Sequence, residues 1–84
     1  MAAMTPKIRL ELDRQADAAY AVFSEDEISS TKKLDGKRLV DLDAHGAIVG
    51  IEFLRISGGV DLRGLPRGDE LSRLLDQHHI KQFA

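Results

Sequence analysis

The segment KIRLELD, residues 7–13, alternates Ile8, Leu10 and Leu12 with Arg9, Glu11 and Asp13. A spacing of two sends successive side chains to opposite faces of an extended chain, so the segment predicts a strand with one buried face. The next apolar run, AAYAVFS over residues 18–24, is apolar on both faces and contains aromatic and β-branched residues. It suits a central strand, although its alanines would also suit a helix. ISSTKKL, with its serine and lysine residues, suits an edge strand with a wet outer face. Asp35-Gly36 then marks a hairpin that pairs residues 29–34 with 37–43, because glycine tolerates the positive φ of a tight turn. At DAHG the chain reverses again, with Asp43 bonding its own following backbone and Gly46 closing the turn. Residues 47–54, AIVGIEFL, return antiparallel.

Past residue 57 the period changes. RISGGVDLRGLPRGD holds Gly58, Gly59, Gly64 and Gly68 and a proline, enough to interrupt regular structure. After it, Leu71, Leu74, Leu75 and His78 recur at helical spacing, with Asp69 and Glu70 at the start and Lys81 near the end to suit the helix dipole. The expected fold is therefore α+β in one small domain. An antiparallel β-meander of about five short strands occupies residues 7–57, a glycine-rich connecting arm 58–68, and one C-terminal α-helix 69–82. The leucine stripe must dock on a sheet face or on another subunit.

Eighty-four residues sit near the lower limit for a self-sufficient core, which favours self-association. The absence of cysteine excludes disulfides, thiolate metal sites, iron-sulfur clusters and thiol nucleophiles. Twelve basic and fourteen acidic residues leave a net charge of -2, which does not favour nucleic acid as a partner. No apolar run approaches a membrane span, and the first residues lack the pattern of a secretory leader, so the expected location is the cytoplasm.

The stretch DLDAHGAIVGIE has the spacing of an EF-hand calcium loop, with Asp41, Asp43, Gly46, Ile48 and Glu52 at the matching positions. Its flanks, however, read as strands rather than helices, and His45 and Val49 stand where oxygen donors belong. Glu52 would also lie some six residues past the turn, roughly 20 Å away. Metal binding by Asp41, Asp43 and Glu52 is thus the disfavoured reading. The preferred hairpin register puts Glu52 opposite Lys37, or opposite Arg38 after a slip of one, and leaves Asp41 with no assigned partner. His78 and His79 point about 100° apart on a helix and do not converge on a metal. No nucleophile elbow, triad or P-loop is present, so no catalytic, metal or cofactor site is expected. Tyr20 is expected in a packed core or at an interface.

DRQADAAYAVFS, followed by a gap and LVDLDAHGAIVGIEFLRIS, resembles a widespread prokaryotic family of small proteins, the domain-of-unknown-function family DUF2283. The resemblance covers roughly residues 8–57. It is carried by Asp17, Ala18 and Tyr20 and by Asp41, Asp43, Gly46, Gly50, Ile51 and Glu52. Departures are His45, where the family commonly has an acidic or amide residue, and Ala19 and Ala21, where larger aliphatics are usual. What the resemblance implies is a compact antiparallel β domain with no established activity, some members being encoded beside small toxin-like proteins.

The expected function is that of a non-enzymatic interaction domain, a homodimer sharing its helix or apolar sheet face through Tyr20, Phe23, Leu71, Leu74 and Leu75. The alternative from another class is an antitoxin-like partner that binds a small basic toxin through Glu25, Asp26 and Glu27.

Overall fold

The structure, a computed structural model, describes residues 7–83. The reading of the first residues as carrying no leader therefore falls largely outside the described residues. Five strands form one antiparallel sheet: β1 (Arg9–Asp13), β2 (Ala18–Val22), β3 (Ser30–Asp35), β4 (Arg38–Leu42) and β5 (Ile48–Leu54). Their spatial order is β1-β2-β5-β4-β3. β3, β4 and β5 run as a meander, and β5 inserts beside β2, so residues 23–29 carry the chain from the middle of the sheet to its far edge. That crossover is pinned at both ends. The N–H groups of Phe23 and Ser24 donate to the Val49 carbonyl at 2.8 and 3.1 Å, and the Ser29 N–H donates to Leu42 at 2.7 Å.

As its two-sided apolarity predicts, β2 is central, and β3, exposed at every residue, is an edge. The hairpin falls at Asp35-Gly36, but Gly36 does not adopt positive φ. Asp35 itself makes the turn, accepting the Lys37 N–H on Oδ1 at 2.9 Å and the Arg38 Nε–H on Oδ2 at 2.9 Å.

Pairing of Ala19 with Phe53, Ala21 with Ile51, and Ile51 with Val40 places these residues on one face. They join Ile56, Val60, Leu62, Leu71, Leu75 and Ile80 in a single buried cluster. The glycine-rich stretch is thus more than a connecting arm. It contains a 3-10 turn (Ile56–Gly58) and a short strand β6 (Val60–Asp61), which pairs in parallel with β7 (Gln82–Phe83) at the C-terminal end. Arg38, half-buried on β4, straps this segment to the sheet. Its Nη1 donates to the carbonyls of Asp61 and Arg63 at 3.2 and 2.7 Å, and its Nη2 pairs with Asp35 at 2.9 Å.

The helix α1 spans Gly68–Gln77, five residues shorter at its C-terminus than its spacing predicts. The stop is a capping motif in which His79 takes a left-handed φ of 58°. The His79 N–H bonds Asp76, and the Ile80 N–H bonds Leu75. Ile80 is thereby turned into the core, 6 % exposed, against the last helical turn. Lys81 consequently plays no part at the helix end and lies over the Phe83 ring. Asp69 and Glu70 do occupy the first turn. Glu70 ties α1 to β1, accepting the Ile8 N–H on Oε2 at 2.8 Å and Arg67 on Oε1 at 2.7 Å. These bonds hold its carboxyl below the usual glutamate range, with the Ile8 bond the larger cause. No helix among the described residues is long and apolar enough to cross a membrane.

At the end of α1 it is His79, a non-glycine residue, that carries the left-handed penalty. The variant His79→Gly should raise the unfolding free energy by about 1 kcal/mol in denaturant titration. No gain would show that the helix terminates by some other means.

Candidate functional site

The face of the sheet turned away from α1 holds the polar residues singled out in the sequence. Residues Glu11, Tyr20, Glu52 and Leu39 lie side by side across β1, β2, β5 and β4. One step along, Val22, Gly50, Asp41 and Thr31 form the neighbouring row. The Tyr20 side chain reaches from its own row into the next. Its hydroxyl donates to Asp41 Oδ2 at 2.6 Å, while Thr31 Oγ1 donates to Asp41 Oδ1 at 2.6 Å. Both carboxylate oxygens of Asp41 are therefore held by the protein's own hydroxyls.

Gly50 lies beneath that reach. A Cβ placed on it would overlap Tyr20 Oη and Cζ and lie 2.6 Å from Cε2. The requirement here is close approach and not backbone freedom, since Gly50 does not adopt positive φ. Tyr20, Gly50 and Asp41 form one lock across β2, β5 and β4, with Thr31 extending it to β3.

Burial first, and then the hydrogen bond to Asp41, push the Tyr20 phenol well above its ordinary range, with the charges of Asp41, Glu52 and Glu11 adding to the shift. At neutral pH the phenol keeps its proton and donates it in the hydrogen bond to Asp41.

Asp41, without an assigned partner in the sequence reading, is thus doubly bonded. Glu52 moves the other way. The register pairs it with Leu39 and Tyr20, not with Lys37 or Arg38. Two residues of shift separate the expected and observed registers, because the turn is longer than assumed and Val49 is extra in β5, between the pairs Asp41↔Gly50 and Leu42↔Ile48. Among the described residues the Glu52 side chain makes no hydrogen bond or ion pair. It rims a shallow hollow of about 370 Å³ shared with Glu11, Asp13, Ala18, Tyr20 and Leu54.

The other motif residues have local tasks. Asp43 Oδ1 accepts the N–H groups of His45 and Ala47 at 2.8 and 2.9 Å, which hold its carboxyl below the ordinary aspartate range, the Ala47 bond foremost. Gly46 closes that turn at φ 82°. Asp17, in a left-handed turn between β1 and β2, grips the far end of the sheet. It accepts the Ser57 N–H on Oδ1 at 2.9 Å and the Ser57 hydroxyl on Oδ2 at 2.6 Å. Ile51 is fully buried. Thr31, Ser57 and Arg38 carry cross-strand or cross-segment bonds that no motif marks.

Of the residues expected at an interface, Phe23, Leu71 and Leu75 lie inside this chain's own core, Leu74 is half-buried against it, and Tyr20 is locked on the outer face. In the acidic run, Glu25 pairs with Arg9 at 2.8 Å and the Asp26 N–H bonds Ser24. Asp41 and Asp43 direct oxygens to the chain's own donors, and no group of three metal-ligand side chains occurs among the described residues.

Fold and site define a small α+β domain in which a five-stranded sheet is fastened by polar contacts among its own strands and turns. A family model described as a protein of unknown function, DUF2283, matches residues 9–57, more than half of the chain, and the protein belongs to that family. No curated protein and no solved structure matches it. The matched segment ends at Ser57, the residue Asp17 grips.

Tyr20 is the single tyrosine, so its ionisation can be followed in isolation by near-ultraviolet absorbance. The folded protein holds the phenolic proton more tightly than the unfolded chain. The stabilisation is complete below the ordinary tyrosine value of about 10 and is lost as pH rises through the higher folded value. Phenolate should therefore appear at higher pH than in the unfolded chain. Asp41→Asn should move it down, and Gly50→Ala, which displaces the ring, should do the same. An unshifted titration in the wild type would contradict the lock.

Proposed function

We propose that this protein is a non-enzymatic interaction domain that works by associating with protein, and first of all with itself. The observation that carries this reading is the sheet itself, which ends in β1 on one side and β3 on the other. Neither edge is paired with a further strand among the described residues. Alternate N–H and C=O groups of such a strand point outward and are free to bind another chain. The character of the outer face supports the same reading. Tyr20, Asp41, Asp43 and Asp17 are satisfied by the chain's own donors and acceptors, and they do not converge on a space where a reacting group could sit. With Leu71 and Leu75 buried in the chain's own core, the edges of the sheet offer a surface for association.

Sedimentation equilibrium at tens of micromolar should return about twice the mass of one chain for the folded protein. A well-folded monomer across that concentration range would contradict the proposal.

A further inference from the structure

We infer that the partner at the β1 edge is a second copy of this chain, joined antiparallel about a two-fold axis at Glu11. The inference rests on the self-associating reading and adds the surface and register. β1 reads Arg9-Leu10-Glu11-Leu12-Asp13. Laid antiparallel on itself with Glu11 at the centre, it sets Arg9 opposite Asp13 of the second copy, and Leu10 opposite Leu12 of the second copy. Each of these pairs occurs twice by symmetry, as an isologous contact requires. Residues directly opposite share a face. The two cation-carboxylate pairs thus fall on the outer face, and the leucines on the core face.

Leu10 and Leu12 are half-buried at this edge and pack against the core cluster, so the second copy would complete their cover and run the two cores together. Asp13 uses Oδ1 to accept the Ala16 N–H, which leaves Oδ2 for the incoming guanidinium. Arg9 is already extended on this face, where it bonds Glu25 and Glu11 at 2.8 and 3.1 Å. It also flanks the one unfavourable contact, Glu11 with its own symmetry mate. The register has a natural start, because the Ile8 N–H is taken by Glu70. The product is a continuous ten-stranded sheet with the two β1 strands at its centre.

The opposite edge lacks this complementarity. β3 reads Ser30-Thr31-Lys32-Lys33-Leu34-Asp35, and in full antiparallel overlap it sets lysine against lysine at its middle. Lysines on an edge strand oppose such pairing. One sheet therefore carries one edge suited to its own copy and one protected from it.

The test uses the full-length protein with Arg9→Asp and Asp13→Arg made separately. Each variant alone sets like charges opposite each other at both pairs, and its dimer dissociation constant should rise by about tenfold or more over the wild type. Mixed together, the two variants restore cation opposite carboxylate at both pairs, so a heterodimer should form at wild-type concentrations while circular dichroism remains native. A wild type that dimerises while both folded variants dimerise equally well, or a mixture that gains nothing over its components, overturns the β1 interface but leaves self-association standing. A monomeric wild type overturns both. Hydrogen exchange needs no substitution. On concentrating the wild type, β1 amides should slow while β3 amides do not, and the reverse pattern overturns the assignment.

Discussion

An apolar sheet face needs a cover, and here the cover comes from a part of the chain outside the family segment. Residues 9–57 fold into five strands whose inner side shows Ala19, Ala21, Val40, Ile51 and Phe53. Val60, Leu62, Leu71, Leu75 and Ile80, all beyond Ser57, close over that side. Burying five such side chains contributes roughly 8 to 15 kcal/mol at about 1.5 to 3 each, an upper bound given residual burial in the unfolded chain. That is comparable to the whole net stability of a small domain, about 5 to 15 kcal/mol. The alanines of β2 fit this arrangement. Small side chains at the centre of the sheet leave room above it, and the complete burial of Leu71 and Leu75 shows that the room is filled. An alanine pair that suggests an underfilled face in isolation becomes the seat of the C-terminal layer.

Polar contacts then fix how the layers and strands meet. Asp17 and Ser57 hold the chain where it leaves the sheet, Arg38 straps the following segment back to β4, and Glu70 joins the helix start to the beginning of β1. On the far face, Tyr20 crosses Gly50 to Asp41 and so ties β2 to the β4–β5 hairpin, which is distant from it in sequence. The family motif is, on this account, largely a list of fasteners. Glu52 is the exception, a motif residue on the outer face that fastens nothing among the described residues.

The strands were legible because their signals are local: a period of two, an Asp-Gly turn, an Asp-x-x-Gly reversal. Their order was less so. Whether β2 neighbours β3 or β5 is decided by a crossover of loop residues with no pattern of its own. Register was the weakest point. Val49 is extra in β5, and β3 has its own irregularity between Lys33 and Asp35, and neither leaves a compositional mark. Those irregularities exchange the fates of Asp41 and Glu52 and bring Thr31 opposite Asp41. The leucines mark the helix but not its end, since a histidine at the left-handed position gives no warning where a glycine would. Membership of the family was readable from a handful of spaced residues, whereas the task of each depended on the register.

Without its C-terminal cover the family segment leaves the apolar face of Ala19, Ala21, Val40, Ile51 and Phe53 open to water and should not hold as a folded unit. Thermal unfolding of a chain ending at Ser57, followed by circular dichroism beside the full-length protein, tests it most directly. A cooperative transition is expected for the full-length protein and none for the shortened chain. A cooperative transition of similar midpoint in the shortened chain would contradict it and show that the sheet closes its apolar face by itself.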